Sequence, residues 1–219
     1  MKNVLIVFSG KAQAGKSTCS NLLKEIIDEK RKAELVEKEG KAYTNYWSDV
    51  YIHSFAKALK DIASEYFGWS LDKGLYYEIK VDGVWKKTED IPSGTPVEFR
   101  VIPDKGRQLL INIGQAFRAI RPTIWVDYVI NKIKSHAKER EGQVYLIDDM
   151  RFKNELALAK TFDKCISIRV SRPSSLSIDD ISENDLDDAE FDHYIENNGN
   201  MTMLKGTLSV LWEKIEKDL

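Results

Sequence analysis

Cysteine is scarce in this chain of 219 residues, and its two examples, Cys19 and Cys165, stand far apart with no histidine or second cysteine at metal-ligand spacing. That excludes a disulfide framework or a cysteine-based metal site and suits a reducing compartment. An imbalance of charge is missing as well: 33 basic and 35 acidic side chains leave a formal net charge of −2. No global field therefore recruits nucleic acid or an anionic membrane surface, and any polyanion has to be gripped locally. The leading apolar run, Val4 to Phe8, is shorter than a signal-peptide core or a membrane span. The three histidines, His53, His136 and His193, form no triad or metal set, and no internal repeat is visible. The one biased tract, the acidic stretch 179–190, reads as a mobile loop. Together these absences point to a soluble, cytoplasmic protein, and the length suits a single domain over residues 1–219.

What is present is more pointed. Gly10 to Ser17 reads Gly-Lys-Ala-Gln-Ala-Gly-Lys-Ser, a full G-x-x-x-x-G-K-[ST] pattern directly after the apolar run. Gly10 and Gly15 let the backbone curl so that successive N–H groups point at one phosphate, and a helix opening at Lys16 aims its positive end at the same place. Lys16 is then expected to reach the β- and γ-phosphates of a nucleotide, with Ser17 on Mg²⁺.

Periodicity organises the rest. Leu22, Leu23, Ile26 and Ile27 recur at helical spacing, and the charged stretch from Asp28 to Lys41 reads as a solvated helix end and loop. Tyr51 to Phe55 reads as a short strand, and 56–67 as a helix stopping at Gly68. Residues 75–103 are β-prone around an Asp82-Gly83 turn signal and read as a small insert. Helices are expected over 107–117 and 122–137, with Pro122 in the first turn of the second. Strands at 144–147 and 165–170 flank a helical stretch at 154–161, a last short strand falls at 193–196, and a final helix runs from 203 to 219. Strands alternating with helices predict an α/β fold, a parallel sheet with helices on both faces.

Asp148 and Asp149 end a buried type of strand, where ligands collect in open α/β sheets, and a carboxylate for Mg²⁺ is expected there. The alternative for either is to cap the helix starting near Phe152. Arg107, Arg118, Arg121, Arg151, Arg169 and Arg172 lie near element ends, and guanidinium forks grip phosphate oxygens in pairs and keep their charge in a dry site. Placement favours Arg118, Arg151 and Arg172 among them. Phe55 and Trp125 suit either base stacking or core packing.

Four blocks then line up with a family. They are Phe8-Ser9-Gly10 through Lys16-Ser17-Thr18, Phe55-Ala56-Lys57-Ala58-Leu59-Lys60, Arg107-Gln108 through Gly114-Gln115 with Arg118 and Ile124-Trp125-Val126, and Ile147-Asp148-Asp149-Met150-Arg151-Phe152-Lys153-Asn154-Glu155. A weaker fifth is Ile195-Glu196-Asn197-Asn198-Gly199. In these the chain resembles the phage and bacterial deoxynucleoside monophosphate kinases, within the P-loop small-molecule kinases. The resemblance implies a three-layer α/β/α P-loop kinase fold with a central parallel sheet, the β insert, and a short lid at about 171–191.

It also implies transfer of the γ-phosphate of ATP to a deoxynucleoside 5′-monophosphate, with Mg²⁺ required, in the cytoplasm, or the host's if the chain is phage-encoded. Lys16, Arg118, Arg151 and Arg172 are the implied catalytic residues. Gly10, Ala12, Gln13, Ala14, Gly15, Lys16, Ser17, Thr18, Arg169 and Asn198 are implied for ATP. Phe55, Lys57, Lys60, Arg107, Gln108, Gln115, Arg118, Trp125, Asp149, Arg151 and Glu155 are implied for the acceptor, and Ser17 with Asp148 for the metal. Neither a nucleic-acid polymer nor a membrane is an expected partner, and a homodimer is compatible with the 122–137 helix. The rival readings are a P-loop kinase for another small molecule, such as dephospho-coenzyme A, and a nucleotide-switched binding protein or ATPase.

Overall fold

A computed structural model describes residues 2–40, 47–67, 76–81, 84–88, 99–102, 105–173 and 184–219, with only the backbone described within 76–108 except at Lys80 and Val84. The chain divides into two compact units, Met1–Phe55 with Trp125–Leu219, and Ala56–Ile124.

The first unit is built on five parallel strands, β1 (Val4–Ser9), β2 (Val50–His53), β6 (Val144–Met150), β7 (Cys165–Ser171) and β8 (His193–Glu196), in the order β2-β6-β1-β7-β8. Apolar residues fill β1 because both of its faces are covered, as a central parallel strand requires. Side-chain alternation then splits the core in two. Val4, Ile6 and Phe8 join one cluster with Leu23 and Ile27 of helix α1 (Lys16–Glu39) and Leu208 and Trp212 of helix α6 (Met201–Lys217). Leu5 and Val7 join the other, with Val129 and Ile133 of helix α4 (Ile124–Glu139) and Leu156 of helix α5 (Lys153–Ala159). The result is helix, sheet, helix. Each large aliphatic side chain buried this way contributes about 1.5–3 kcal/mol.

The register between β1 and β6 slips once. Val7 lies beside Ile147 but Ser9 beside Met150, so β6 carries one extra residue at Asp148–Asp149. A bulge of this kind re-aims side chains. It keeps Met150 in the same core cluster as Tyr145 and Ile147, against the parity of a regular strand.

The second unit holds helix α2 (Phe55–Phe67, from its second residue), helix α3 (Lys105–Ile120), and strands β3 (Tyr76–Val81), β4 (Val84–Thr88) and β5 (Phe99–Ile102). The strands form an antiparallel sheet in the order β4-β3-β5, the β insert expected from the sequence.

Three expectations are corrected. Helix α1 continues through the charged stretch to Glu39 and ends at Gly40, whose φ of 65° places it in the left-handed region. Tertiary partners hold it there: Lys24 donates to the Val50 carbonyl at 3.1 Å, Lys30 pairs with Glu216 of α6, and Arg31 donates to the Gly142 carbonyl at 3.0 Å. Phe55 opens a helix rather than closing a strand. Pro122 sits in a turn, and α4 begins two residues later at Ile124.

Candidate functional site around the glycine loop

The chain leaves β1 at Ser9 and curls through Gly10 (φ 151°), Gln13 (φ 62°) and Gly15 (φ 98°) before α1 opens at Lys16. Glycine is required at both ends of this curl. A Cβ on Gly10 would run into the carbonyl oxygen of Val170, and one on Gly15 would come 2.5 Å from Nδ2 of Asn197. Lys16 is buried to 8% exposure, and its Nζ folds back to donate to the carbonyls of Gly10 (2.6 Å) and Lys11 (3.0 Å). The ammonium is thus held inside the loop. Ser17 is exposed at the first turn of α1, and Thr18 follows, half-buried. Ala12 is half-buried, Gln13 exposed and Ala14 buried.

Asp148 and Asp149 stand half-buried at the bulge of β6. Asp149 accepts from Ser54 Oγ at 2.6 Å and from the Phe55 backbone N–H at 2.8 Å, so it ties the end of β6 to the chain leaving β2. One oxygen of buried Glu155 accepts the backbone N–H groups of Arg151 (2.7 Å) and Phe152 (3.0 Å), a carboxylate capping the first turn of α5. The cap foreseen at this turn is therefore supplied by Glu155. Arg151, half-buried, follows the strand directly. Phe55 is 4% exposed within the second core cluster and Trp125 is 5% exposed, which favours packing over base stacking for both.

At the end of β7, Arg169 donates to Ser9 Oγ at 3.0 Å and to Asp187 at 2.5 Å, with its guanidinium 5.6 Å from the centre of the Phe191 ring. Asp187 also pairs with Lys11 of the glycine loop at 3.0 Å. Arg172 lies just beyond β7, exposed. Of the lid expected over 171–191, residues 174–183 lie outside the described residues, and 184–191 are anchored: Leu186 and Phe191 are buried, and Asp185 accepts the Lys153 N–H at 2.7 Å. That anchoring also corrects the mobile-loop reading for this part of the acidic tract.

Asn197, from the weak fifth block, is the neighbour the motif did not reveal. Its Nδ2 donates to the Ala14 carbonyl at 3.0 Å while its backbone N–H donates to the Ser171 carbonyl at 2.8 Å. Asn198 is exposed and donates to Glu196 at 3.3 Å. The glycine loop, Asp148, Asp149, Arg151, Glu155, Arg169 and Asn197 all belong to the first unit. In the second unit, Lys57 is exposed and pairs with Asp61 one turn on at 3.0 Å, and Lys60 is half-buried. Arg107, Gln108, Gln115 and Arg118 all lie on α3, with Gln115 exposed and Arg118 half-buried; the side chains of Arg107 and Gln108 fall outside the described ones.

Titration behaviour near the site is set by burial. Burial, with Lys132 and His136 adding to it, pushes His53 at the end of β2 down to about 4, and burial pushes the Cys19 thiol of α1 up to about 11. Neither suits proton transfer or nucleophilic attack near neutrality. Among the described residues no cluster of three His, Cys, Asp or Glu side chains could hold a metal, and no helix is long and apolar enough to cross a membrane. No protein-family model matches the chain, and no curated protein matches it.

Proposed function

We propose that the chain is a P-loop kinase that transfers the γ-phosphate of ATP to a deoxynucleoside 5′-monophosphate, giving the diphosphate. The observation that carries this reading is the curled loop at the carboxyl end of the central strand, with the Lys16 ammonium folded inside it and Arg169 beside it. A loop of this shape at a helix N-terminus suits a chain of phosphates. The choice of acceptor rests on the resemblance in the Asp148 to Glu155 and Arg107 to Trp125 blocks.

In this reading an acceptor phosphate oxygen, already ionised at neutral pH, attacks the γ-phosphorus as its bond to the bridging oxygen of ADP breaks. No general base is needed. Lys16 balances charge on the transferring group, Arg151 acts on the acceptor phosphate, and Arg169 and Arg172 act on the ATP side. The donor set fits Mg²⁺, which takes one or two protein oxygens and completes its shell with phosphate and water. Ser17 and Asp148 would hold it, and when bound it supplies neutralisation of the phosphate charge. The fixed role of Glu155 is to orient the turn that carries Arg151.

A coupled ADP-release assay with ATP, Mg²⁺ and a panel of dAMP, dGMP, dCMP, dTMP, the ribonucleotides and dephospho-coenzyme A tests the reading. Rapid release that depends on a deoxynucleotide is the expected result. Release only with dephospho-coenzyme A moves the acceptor to that class, and a slow background with every acceptor leaves a nucleotide-switched ATPase.

A further inference from the structure

The anchored acidic segment contributes a carboxylate for which the proposed reaction has no use. Asp187 lies between two cations, one oxygen 3.0 Å from Lys11 Nζ and the other 2.5 Å from Arg169 Nη2. Lys11 belongs to the glycine loop, and Arg169 reaches Ser9 at the foot of that loop with its other nitrogen. Asn184 adds an oxygen 3.4 Å from Lys11 Nζ. A carboxylate and a phosphate oxygen are both anionic acceptors for these donors, so the two compete for the same positive groups.

The backbone holding the carboxylate has no easy retreat. Leu186 is 2% exposed and Phe191 8%, and Asp185 accepts the first N–H of α5. The side chain of Asp187 is by contrast 42% exposed, so it can swing away while its backbone stays in place.

We propose that Asp187 is an internal competitor for a nucleotide's polyphosphate: it neutralises Lys11 and Arg169 and must yield them when the phosphate chain binds. The inference rests on the phosphate-binding reading of the glycine loop. It adds a control on that site, because an anchored carboxylate returns to the two cations as product leaves and so lowers affinity for substrate and product alike. Lys11 and Asp187 are partly solvated, which keeps the expected effect to a few-fold.

Calorimetric titration of the full chain with inorganic tripolyphosphate and with ATP tests this, comparing wild type, Asp187→Asn, Asp187→Glu and Lys16→Ala. Asp187→Asn should bind both probes about two- to fivefold more tightly at low salt. That gain should shrink as salt rises, because added ions screen the exposed pair. Asp187→Glu, which keeps the charge, should stay near wild type. Equal or weaker binding by a folded Asp187→Asn, checked by its melting temperature, would overturn the proposal and make Asp187 a positioning residue for Arg169. Should wild type bind neither probe, with Lys16→Ala indistinguishable from it, the phosphate-binding reading itself falls and takes this inference with it.

Discussion

At the amino ends of the parallel strands lies a cavity of about 1090 Å³ lined by Lys2, Lys134, Lys138 and Lys164 together with Asp163 and Asp218. At the carboxyl ends lies the glycine loop. Both regions carry lysines, but they use them differently. In the cavity the charges are mixed, and polar groups bind protein to protein: Lys134 donates to Thr161 Oγ1 at 2.9 Å, and Asn3 holds the carbonyls of Ala137 and Arg140 at 2.8 Å each. In the loop a buried ammonium is curled among left-handed residues at the positive end of a helix. Directed charge, rather than volume, is the feature on which the phosphate-handling proposal rests.

The strongest way to break this comparison is Lys16→Ala. Turnover should fall on the order of a thousandfold or more, since one fixed charge on a developing transition state is worth this much. The melting temperature should change little, and normal activity would remove the loop from the mechanism. Arg151→Ala is next. We expect kcat/KM for the monophosphate to drop roughly ten- to a hundredfold while the KM for ATP moves by less than about threefold. A loss confined to ATP affinity would put Arg151 on the other side of the reaction.

Acid sharpens the contrast through stability. His53 is held below its ordinary value, at about 4, by burial first and then by Lys132 and His136. The unfolded chain binds that proton near pH 6.5, so His53 contributes stability above pH 6.5 that is lost progressively down to about 4. Melting temperatures of wild type should therefore fall faster between those values than those of His53→Gln. Parallel curves would mean the imidazole titrates normally. The smallest effect is expected in the cavity, where Lys134→Ala combined with Lys164→Ala should leave turnover within about twofold, as for surface lysines far from the chemistry. A larger loss would give the amino-end cavity a role.

Much of the carboxyl end was legible because its signals are local. The apolar run before Gly10, the spacing to Lys16 and the helical period after it are all written in consecutive residues, and the parallel direction of the strands follows from their alternation with helices. What stayed hidden depends on distant partners. The bulge at Asp148–Asp149 exists only relative to β1. Helix α1 extends through a stretch that looks like solvated loop because Glu216 and Gly142 lie beside it. Asp187 sits in a tract whose composition reads as a mobile loop, yet buried Leu186 and Phe191 and the Asp185–Lys153 hydrogen bond pin it beside the glycine loop. Asn197 falls in the weakest block of the resemblance without a role of its own, and its bond to the Ala14 carbonyl exists only in the fold.

The most direct measurement follows the label from γ-labelled ATP in the presence of Mg²⁺ and each deoxynucleoside monophosphate in turn. The account predicts label in the β-phosphate of a deoxynucleoside diphosphate, made by wild type and lost in Lys16→Ala. Label that appears only in inorganic phosphate, at a rate indifferent to the acceptor, would contradict it.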